Sequence, residues 1–326
     1  MHRRGVQVLD LRLGLVSNNG ELIRRPEYFT AQVQQSLLTD YRAIEEIPYA
    51  PDLDAEILIL DEKEAVPRLL LGEDRVVAIG DFTALEAGVR DRRYTLFGNL
   101  GFLYRYVVFG LERYHRVHTL HASAMVDEAT GELWLIPGPA GAGKTCLLLA
   151  GLARGFTVFS TEMTHLRVAG EGYRFYKGSL FDNVRVGNLT HDFPEALARL
   201  RVMLPPVEDV WATKIALDLA PVQASRDVLE SPPLRIVHPK VESGRTAAVA
   251  AAIEPRERLV KLLFDSATEK HGQTVLLYEC LPVPALDTVE LAGRRLEAMR
   301  ALVERADIRG AWTTLSGPTT CLEGLV

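Results

Sequence analysis

Eight residues near the middle of the chain have the types and the spacing of a phosphate-binding loop, Gly138-Pro139-Ala140-Gly141-Ala142-Gly143-Lys144-Thr145. They match the pattern G-x-x-x-x-G-K-[ST], in which glycines let the backbone aim several N–H groups at one phosphate. Lys144 would bring a mobile positive charge to the outer phosphates, and the Thr145 hydroxyl would hold Mg²⁺. We therefore predict that this segment, together with the adjoining Cys146, binds ATP with Mg²⁺.

The pattern indicates a phosphate-binding loop only if a strand precedes the segment and a helix follows it. The apolar run Leu133-Trp134-Leu135-Ile136 predicts a short strand that leads into the loop. Good helix formers follow from Leu147 to Leu152, and Gly155 is a typical residue for the end of that helix. The helix N-terminus would then add its partial positive charge to the phosphate site.

Composition and charge are those of a globular protein with one large or two ordinary domains. The 326 residues are 48% hydrophobic and carry a net charge of −6, which argues against nucleic-acid or membrane-surface binding. Cys146, Cys280 and Cys321 lie far apart and lack metal-ligand spacing, as is typical of a reducing compartment. We expect a cytoplasmic protein in which Leu96 to Leu111 forms a buried amphipathic helix, too short to cross a membrane.

Hydrophobic periodicity predicts alternating strands and helices along the whole chain. Residues 6–16 read as one half-buried strand, followed by a turn at Asn18-Asn19-Gly20. Further strands are predicted at residues 56–60, 75–79, 119–127, 133–136, 156–160, 166–168, 173–176, 214–219, 234–237 and 274–278. Helices are predicted at residues 95–117, 192–202, 255–268 and 287–306, and a loop at residues 177–183.

The order of these elements indicates two domains. Residues 1–90 are expected to form a small α/β module of unknown role, and residues 91–326 a nucleotide-binding domain. In the last predicted helix, Leu291, Leu296, Met299 and Leu302 should face the core, with Arg294, Arg295 and Glu304 on its charged flanks.

The stretch from His121 to Glu162 resembles the HPr kinase/phosphorylase-like family, which shares its nucleotide-binding fold with the phosphoenolpyruvate carboxykinases. The shared features are a histidine in the strand before the loop, a short hairpin, the loop itself, a helix ending at Arg154-Gly155, and a strand ending at Thr161-Glu162. The segment Ile236-Val237-His238-Pro239-Lys240 is also similar to a family strand that ends in proline. The resemblance implies a P-loop domain of this type, α/β with a mixed sheet.

The resemblance also implies roles for individual residues. His121 would lie near the transferred phosphoryl group, and Glu162 would hold Mg²⁺ together with Thr145. The family's general base is an acidic residue at the position of Thr161, and threonine cannot accept that proton at neutral pH. Either Asp182 or Glu162 could supply the base. Lys177-Gly178-Ser179 matches only part of a glycine-rich family motif, because the carboxylate that precedes it in the family is missing.

Four basic residues could bind an anionic substrate, namely Lys177, Lys214, Lys240 and Arg245, of which the last two are preferred. We expect an ATP- and Mg²⁺-dependent kinase that phosphorylates a hydroxyl of a small molecule or peptide. Assembly into a homo-oligomer is compatible with this expectation. The alternative is a catalytically silent nucleotide-binding protein with a regulatory or partner-binding role. An NTPase that drives assembly would need an apolar strand ending in Asp, and Asp218 lies inside its predicted strand.

Overall fold

The computed structural model describes residues 1–29 and 44–325. Within these ranges the chain is a mixed α/β protein that divides into two compact units. The first unit comprises Met1–Arg116 and Lys270–Leu291, and the second comprises Val117–Glu269 and the residues from Ala292 on. This division differs from the predicted boundary at residue 90, because both the helix that ends at His115 and the later segment 270–291 belong to the first unit.

The strands, in chain order, are β1 His2–Val8, β2 Leu11–Ser17, β3 Glu45–Ile47, β4 Ala55–Asp61, β5 Arg68–Leu71, β6 Arg75–Gly80, β7 Val117–Asp127, β8 Glu132–Pro137, β9 Thr157–Ser160, β10 Met163–Ala169, β11 Gly172–Tyr176, β12 Phe181–Arg185, β13 Lys214–Asp218, β14 Val228–Glu230, β15 Leu234–Val241, β16 Val249–Ala252, β17 Val275–Leu277, β18 Leu281–Val283 and β19 Ile308–Ser316. The helices are α1 Pro26–Phe29, α2 Phe82–Gly88, α3 Phe102–His115, α4 Lys144–Ala153, α5 Pro194–Leu200, α6 Arg256–Thr268 and α7 Val289–Arg305. Short 3-10 turns lie at Leu22–Arg24, Arg92–Tyr94 and Ala220–Val222, and a π turn at Asn188–Asp192.

The first unit is built on one mixed sheet with the strand order β3-β1-β2-β4-β6-β5. Strands β2, β4 and β6 run parallel, while β1, β3 and β5 pair antiparallel to their neighbours. The carboxyl ends of β2, β4 and β6 therefore meet at the same edge of the sheet. Helix α3, whose residues are buried on almost all sides, belongs to this unit.

The single strand predicted for residues 6–16 is wrong. The chain turns at Leu9 and Asp10, where Leu9 has a φ of 52°, so that β1 and β2 form an antiparallel hairpin. Apolar residues recur at every second position up to Val8 and again from Leu9 on, and the change of phase between these two neighbours marks the turn. No glycine or proline is present at that place to indicate it.

The second unit contains a larger mixed sheet with the order β14-β11-β10-β7-β8-β15-β19-β16, in which β9 also pairs with β7. Strands β8, β15 and β19 are parallel, and β7 and β8 form the predicted antiparallel hairpin before the glycine-rich segment. Side chains of β8 alternate between two cores. Trp134 and Ile136 pack with leucines of α4, whereas Leu133 and Leu135 pack with α6 and α7.

Two smaller expectations also need correction. Residues 181–185 form β12, which pairs with β13, so the predicted loop at 177–183 ends at residue 180, three residues earlier. Arg295 is fully buried and donates from Nη1 to Thr268 Oγ1 at 3.0 Å, although its position predicted a charged flank of the helix. Among the helices of the described ranges, none combines the length and the apolar character that crossing a membrane requires.

Candidate functional site

The glycine-rich segment lies between β8, which ends at Pro137, and α4, which begins at Lys144. Gly141 and Gly143 have φ angles of 81° and 106°, a region that side chains with a Cβ rarely adopt. A Cβ on Gly143 would also lie 2.3 Å from Cγ2 of Val241, the last residue of β15. The Val241 amide donates to Ala142 O at 3.0 Å, so the segment is held against the end of the neighbouring strand.

Lys144 is the first residue of α4 and is only 6% exposed. Its ammonium donates to the carbonyl oxygen of Gly138 at 2.9 Å and lies 3.6 Å from Oε2 of Glu162. It also lies 3.1 Å from Nε2 of His121. The Lys144 side chain therefore contacts the backbone of the glycine-rich segment, where a phosphate is predicted to bind.

His121 is 1% exposed and lies in β7, with a carboxylate facing each of its ring nitrogens. Nε2 contacts Glu162, and Nδ1 lies 2.6 Å from Oε2 of Glu269. Burial would lower the pKa of His121, but the hydrogen bonds to Glu162 and Glu269 outweigh burial and raise the pKa above its ordinary value. The protonated ring then donates from Nε2 to Glu162 and forms an ion pair with Glu269 on the side of Nδ1. Ser266 fixes the backbone here, since its Oγ donates to His121 O at 3.1 Å.

Glu269 was not identified from the sequence. It directly follows α6 and is far from His121 along the chain, so no motif spacing connects the two residues. The only sequence signal was the predicted helix end at residue 268. Together Lys144, His121, Glu162 and Glu269 form a cluster of two basic and two acidic side chains, which we call the Lys144 cluster.

Thr145 and Asp182 form a second polar pair at the start of α4. The Thr145 hydroxyl donates to Oδ2 of Asp182 at 2.8 Å. The sequence paired Thr145 with Glu162 as the two metal ligands, whereas the structure brings Thr145 to Asp182 and Glu162 to His121 and Lys144. Both carboxylates are oxygen donors of the kind that Mg²⁺ prefers.

Thr161 holds in place the segment that directly precedes Asp182. Its amide and its hydroxyl both contact Ser179 O, at 2.9 and 3.1 Å, and the hydroxyl also lies 2.6 Å from Phe181 O. The segment that contains Gly178 packs closely on the backbone of Met163, because a Cβ on Gly178 would lie 1.7 Å from Met163 O. Thr161 therefore ties the segment before Asp182 to the end of β9, and its hydroxyl faces backbone carbonyls.

The basic residues considered as anion ligands have different surroundings. Lys177 is 4% exposed, and its ammonium donates to Gln223 Oε1 at 2.9 Å and Ala224 O at 2.7 Å and lies 2.8 Å from Asp227 Oδ1. It is a structural residue. Lys240, in β15, and Arg245, in the loop that follows, both lie near Glu242, at 2.9 and 3.3 Å. Lys214 is exposed at the start of β13.

Cys146 and Asp218 have local structural contacts. Burial raises the pKa of Cys146 to about 12, so the thiol beside the glycine-rich segment is protonated at neutral pH and a poor nucleophile. The thiol of Cys321 lies 3.7 Å from Cys146 O. Asp218, the last residue of β13, accepts from the Ala220 amide at 2.9 Å and so closes a turn.

Among residues 1–29 and 44–325, no group of three or more His, Cys, Asp or Glu side chains is arranged to hold a metal ion. Mg²⁺ in nucleotide sites needs fewer, because it keeps several water ligands and binds one or two protein oxygens and the phosphates. The Thr145–Asp182 pair satisfies that requirement. The chain matches no protein-family model and no curated protein.

Proposed function

We propose that the second unit binds ATP with Mg²⁺ at the glycine-rich segment and transfers the γ-phosphoryl group to a hydroxyl of a small molecule or peptide. One observation carries this proposal. At the start of α4, Lys144 lies in a cluster with His121 and Glu162, and the next residue, Thr145, is hydrogen-bonded to Asp182. A phosphate site thus has a cation, a carboxylate and a separate pair of oxygen ligands around it.

Thr145 and Asp182 would hold the metal. When bound, Mg²⁺-ATP supplies the phosphoryl group, and the metal offsets the negative charge that develops on it. A hydroxyl and a carboxylate oxygen are both hard ligands, which fits Mg²⁺ better than nitrogen or sulfur would. This assigns the metal role to Asp182, in place of the Glu162 expected from the resemblance.

Lys144 would exchange its partner when phosphate binds. Its one hydrogen bond shorter than 3 Å goes to the Gly138 carbonyl, a neutral acceptor. Phosphate oxygens are charged acceptors and form stronger bonds with an ammonium. The amides of the glycine-rich segment and the N-terminus of α4 would contribute further positive potential at the same place.

Glu162 would accept the proton of the acceptor hydroxyl. Its carboxylate does not belong to the Thr145–Asp182 pair, and its side chain is 23% exposed, so an acceptor in solution can reach it. Lys144 and His121 lie beside the carboxylate, and His121 would stabilise charge near the transferred group. Thr161 takes no part, since its hydroxyl is bonded to backbone carbonyls.

A catalytically silent nucleotide-binding protein is the second candidate. It is favoured by Thr161, which occupies the position of the family's general base and has its hydroxyl bonded to backbone carbonyls. A general base contributes about 10²–10⁴ in rate, so its loss would leave binding without transfer. The two candidates share the nucleotide site and differ in phosphoryl transfer alone.

Calorimetric titration with ATP, with and without Mg²⁺, tests the nucleotide site. Lys144→Met should weaken ATP binding by about 100-fold, the loss of one charge-assisted contact to phosphate. Asp182→Asn should reduce the enhancement by Mg²⁺ while leaving the Mg²⁺-free affinity unchanged. Lys261→Met, which removes an exposed lysine of the same unit, is the matched control. Equal affinity in wild type and Lys144→Met would contradict the proposal.

A further inference from the structure

The first unit contains a cavity of about 820 Å³ at the carboxyl end of β2. Its lining consists of polar and charged residues and one glycine, namely His2, Asn18, Asn19, Gly20, Glu21, Arg24 and Arg25. The volume is within the range of cavities that hold small-molecule ligands. Ligands of α/β sheets characteristically bind outside the carboxyl ends of parallel strands, which is where this cavity lies.

The floor of the cavity is fixed by hydrogen bonds to the end of β4. Asn18 and the backbone of Asp61 form a reciprocal pair, with Asn18 Nδ2 donating to Asp61 O at 2.9 Å and Asp61 N donating to Asn18 Oδ1 at 2.8 Å. Asn19 Nδ2 donates to the Asp61 carboxylate at 2.8 Å. Both amide side chains are therefore held in place before any ligand arrives, which lowers the entropic cost of binding.

Arg25 lines the cavity, and its ion pair with an acidic side chain is long, with Nη1 3.8 Å from Oε2 of Glu86. Its Nε is buried and has no hydrogen-bond partner among the residues that the structure describes. Glu86 already accepts from Tyr28 at 2.7 Å and from Tyr278 at 2.6 Å, so it is satisfied without the arginine. A guanidinium that lines a cavity is suited to a planar or tetrahedral anion.

The other charges of the lining favour the same ligand. Arg24 donates to Arg3 O at 3.2 Å through Nη2 and is otherwise exposed, and the His2 ring lies against Gly20. Three basic side chains therefore face one acidic side chain, Glu21. We infer that this cavity binds a small anion that carries a carboxylate or phosphate group, with Arg24 and Arg25 as its principal ligands. The inference does not depend on the proposed nucleotide site.

Calorimetric titration of the full chain with inorganic phosphate and, separately, with citrate tests this inference. The variants are Arg24→Gln, Arg25→Gln and Lys144→Met, with Arg68→Gln as the matched control because Arg68 is an exposed arginine of the same unit. Comparison of the two anions shows whether the cavity prefers phosphate or carboxylate. Arg24→Gln alters an exposed side chain, so it remains informative if Arg25→Gln disturbs the fold near Glu86.

At least one of the two anions should bind wild-type protein saturably, and Arg24→Gln and Arg25→Gln should each weaken that binding about tenfold or more. Arg68→Gln and Lys144→Met should leave it unchanged. Binding that survives both lining substitutions overturns the inference, as does binding that Lys144→Met abolishes, which would place the anion at the glycine-rich segment. Absence of saturable binding by either anion up to about 10 mM also overturns it.

Discussion

Lys144 and Lys177 are both almost fully buried in the second unit, at 6% and 4% exposure, yet their surroundings differ. Lys177 has three oxygen atoms within 3 Å, one for each of its ammonium protons. Lys144 has one such oxygen, the Gly138 carbonyl, together with a histidine ring and a more distant carboxylate.

This difference separates a structural lysine from one that can bind a ligand. An ammonium with three close oxygen partners gains little from a new anion and loses much if it moves. An ammonium with one neutral oxygen partner can gain a charged one. Burial and charge alone, which are the same for both lysines, do not make that distinction. The partner atoms do.

The largest effect on stability should come from Lys177→Met. The substitution leaves the buried Ala224 carbonyl without its donor, which costs about 1–3 kcal/mol, and it also removes the ion pair with Asp227. We expect the free energy of unfolding, measured with urea, to fall by about 3 kcal/mol. ATP affinity of the folded protein should stay at the wild-type value. A loss of stability below about 1 kcal/mol would mean that Lys177 does not have a structural role.

Gly143→Ala should lower the free energy of unfolding by about 2 kcal/mol, because it combines a positive φ with overpacking against Val241. Gly141→Ala is its matched control. Gly141 also has a positive φ, but a Cβ there meets nothing within 4 Å, so only the backbone strain of about 1 kcal/mol applies. Equal losses in the two variants would show that the contact between the glycine-rich segment and β15 contributes no packing constraint.

Thr161→Val should lower the free energy of unfolding by about 1 kcal/mol, the contribution of the hydroxyl hydrogen bonds to the segment before Asp182. Because that segment presents Asp182, the variant should also bind ATP with a smaller enhancement by Mg²⁺. An unchanged Mg²⁺ dependence would indicate that Asp182 is held in place by its other contacts.

The smallest effect concerns pH, and it involves Lys144 because His121 lies beside that lysine. The pKa of His121 is raised in the folded protein, so the stability contributed by its protonated ring is complete below the ordinary histidine pKa, near 6.5. That contribution is lost as the pH rises through the raised pKa. Glu269→Gln removes one of the two carboxylates, so the loss should occur at lower pH. Thermal unfolding without nucleotide or Mg²⁺ measures it, and an identical pH profile in wild type and variant would contradict the assignment.

The elements that position the site could largely be predicted from the sequence. The strand, turn and helix around Lys144, the hairpin of β7 and β8, and the spans of α6 and α7 follow from residue types over short windows. Gly155, just beyond the end of α4, has the positive φ expected of a residue after a helix. Local propensity and periodicity are enough for features of this length.

The partners of the site residues could not be predicted in the same way. Asp182 reaches Thr145, and Glu269 reaches His121, through tertiary packing of segments far apart in the chain. From the sequence alone, Lys177 is a candidate anion ligand. Its partners Gln223, Ala224 and Asp227 also lie far from it along the chain, so the sequence does not reveal that they surround its ammonium. Spacing along a chain identifies which residues can do chemistry, whereas the fold decides which of them meet.

The most direct test is a crystal structure with Mg²⁺ and a non-hydrolysable ATP analogue. The distance to measure joins the γ-phosphorus to the nearest carboxylate oxygen that does not bind the metal. We predict that Thr145 and Asp182 bind Mg²⁺, that Lys144 contacts the phosphates, and that a Glu162 oxygen lies about 3–5 Å from an open acceptor position beside the γ-phosphate. A structure in which only Thr161 and water face that position would contradict phosphoryl transfer, and failure of the analogue to bind would contradict the nucleotide site itself.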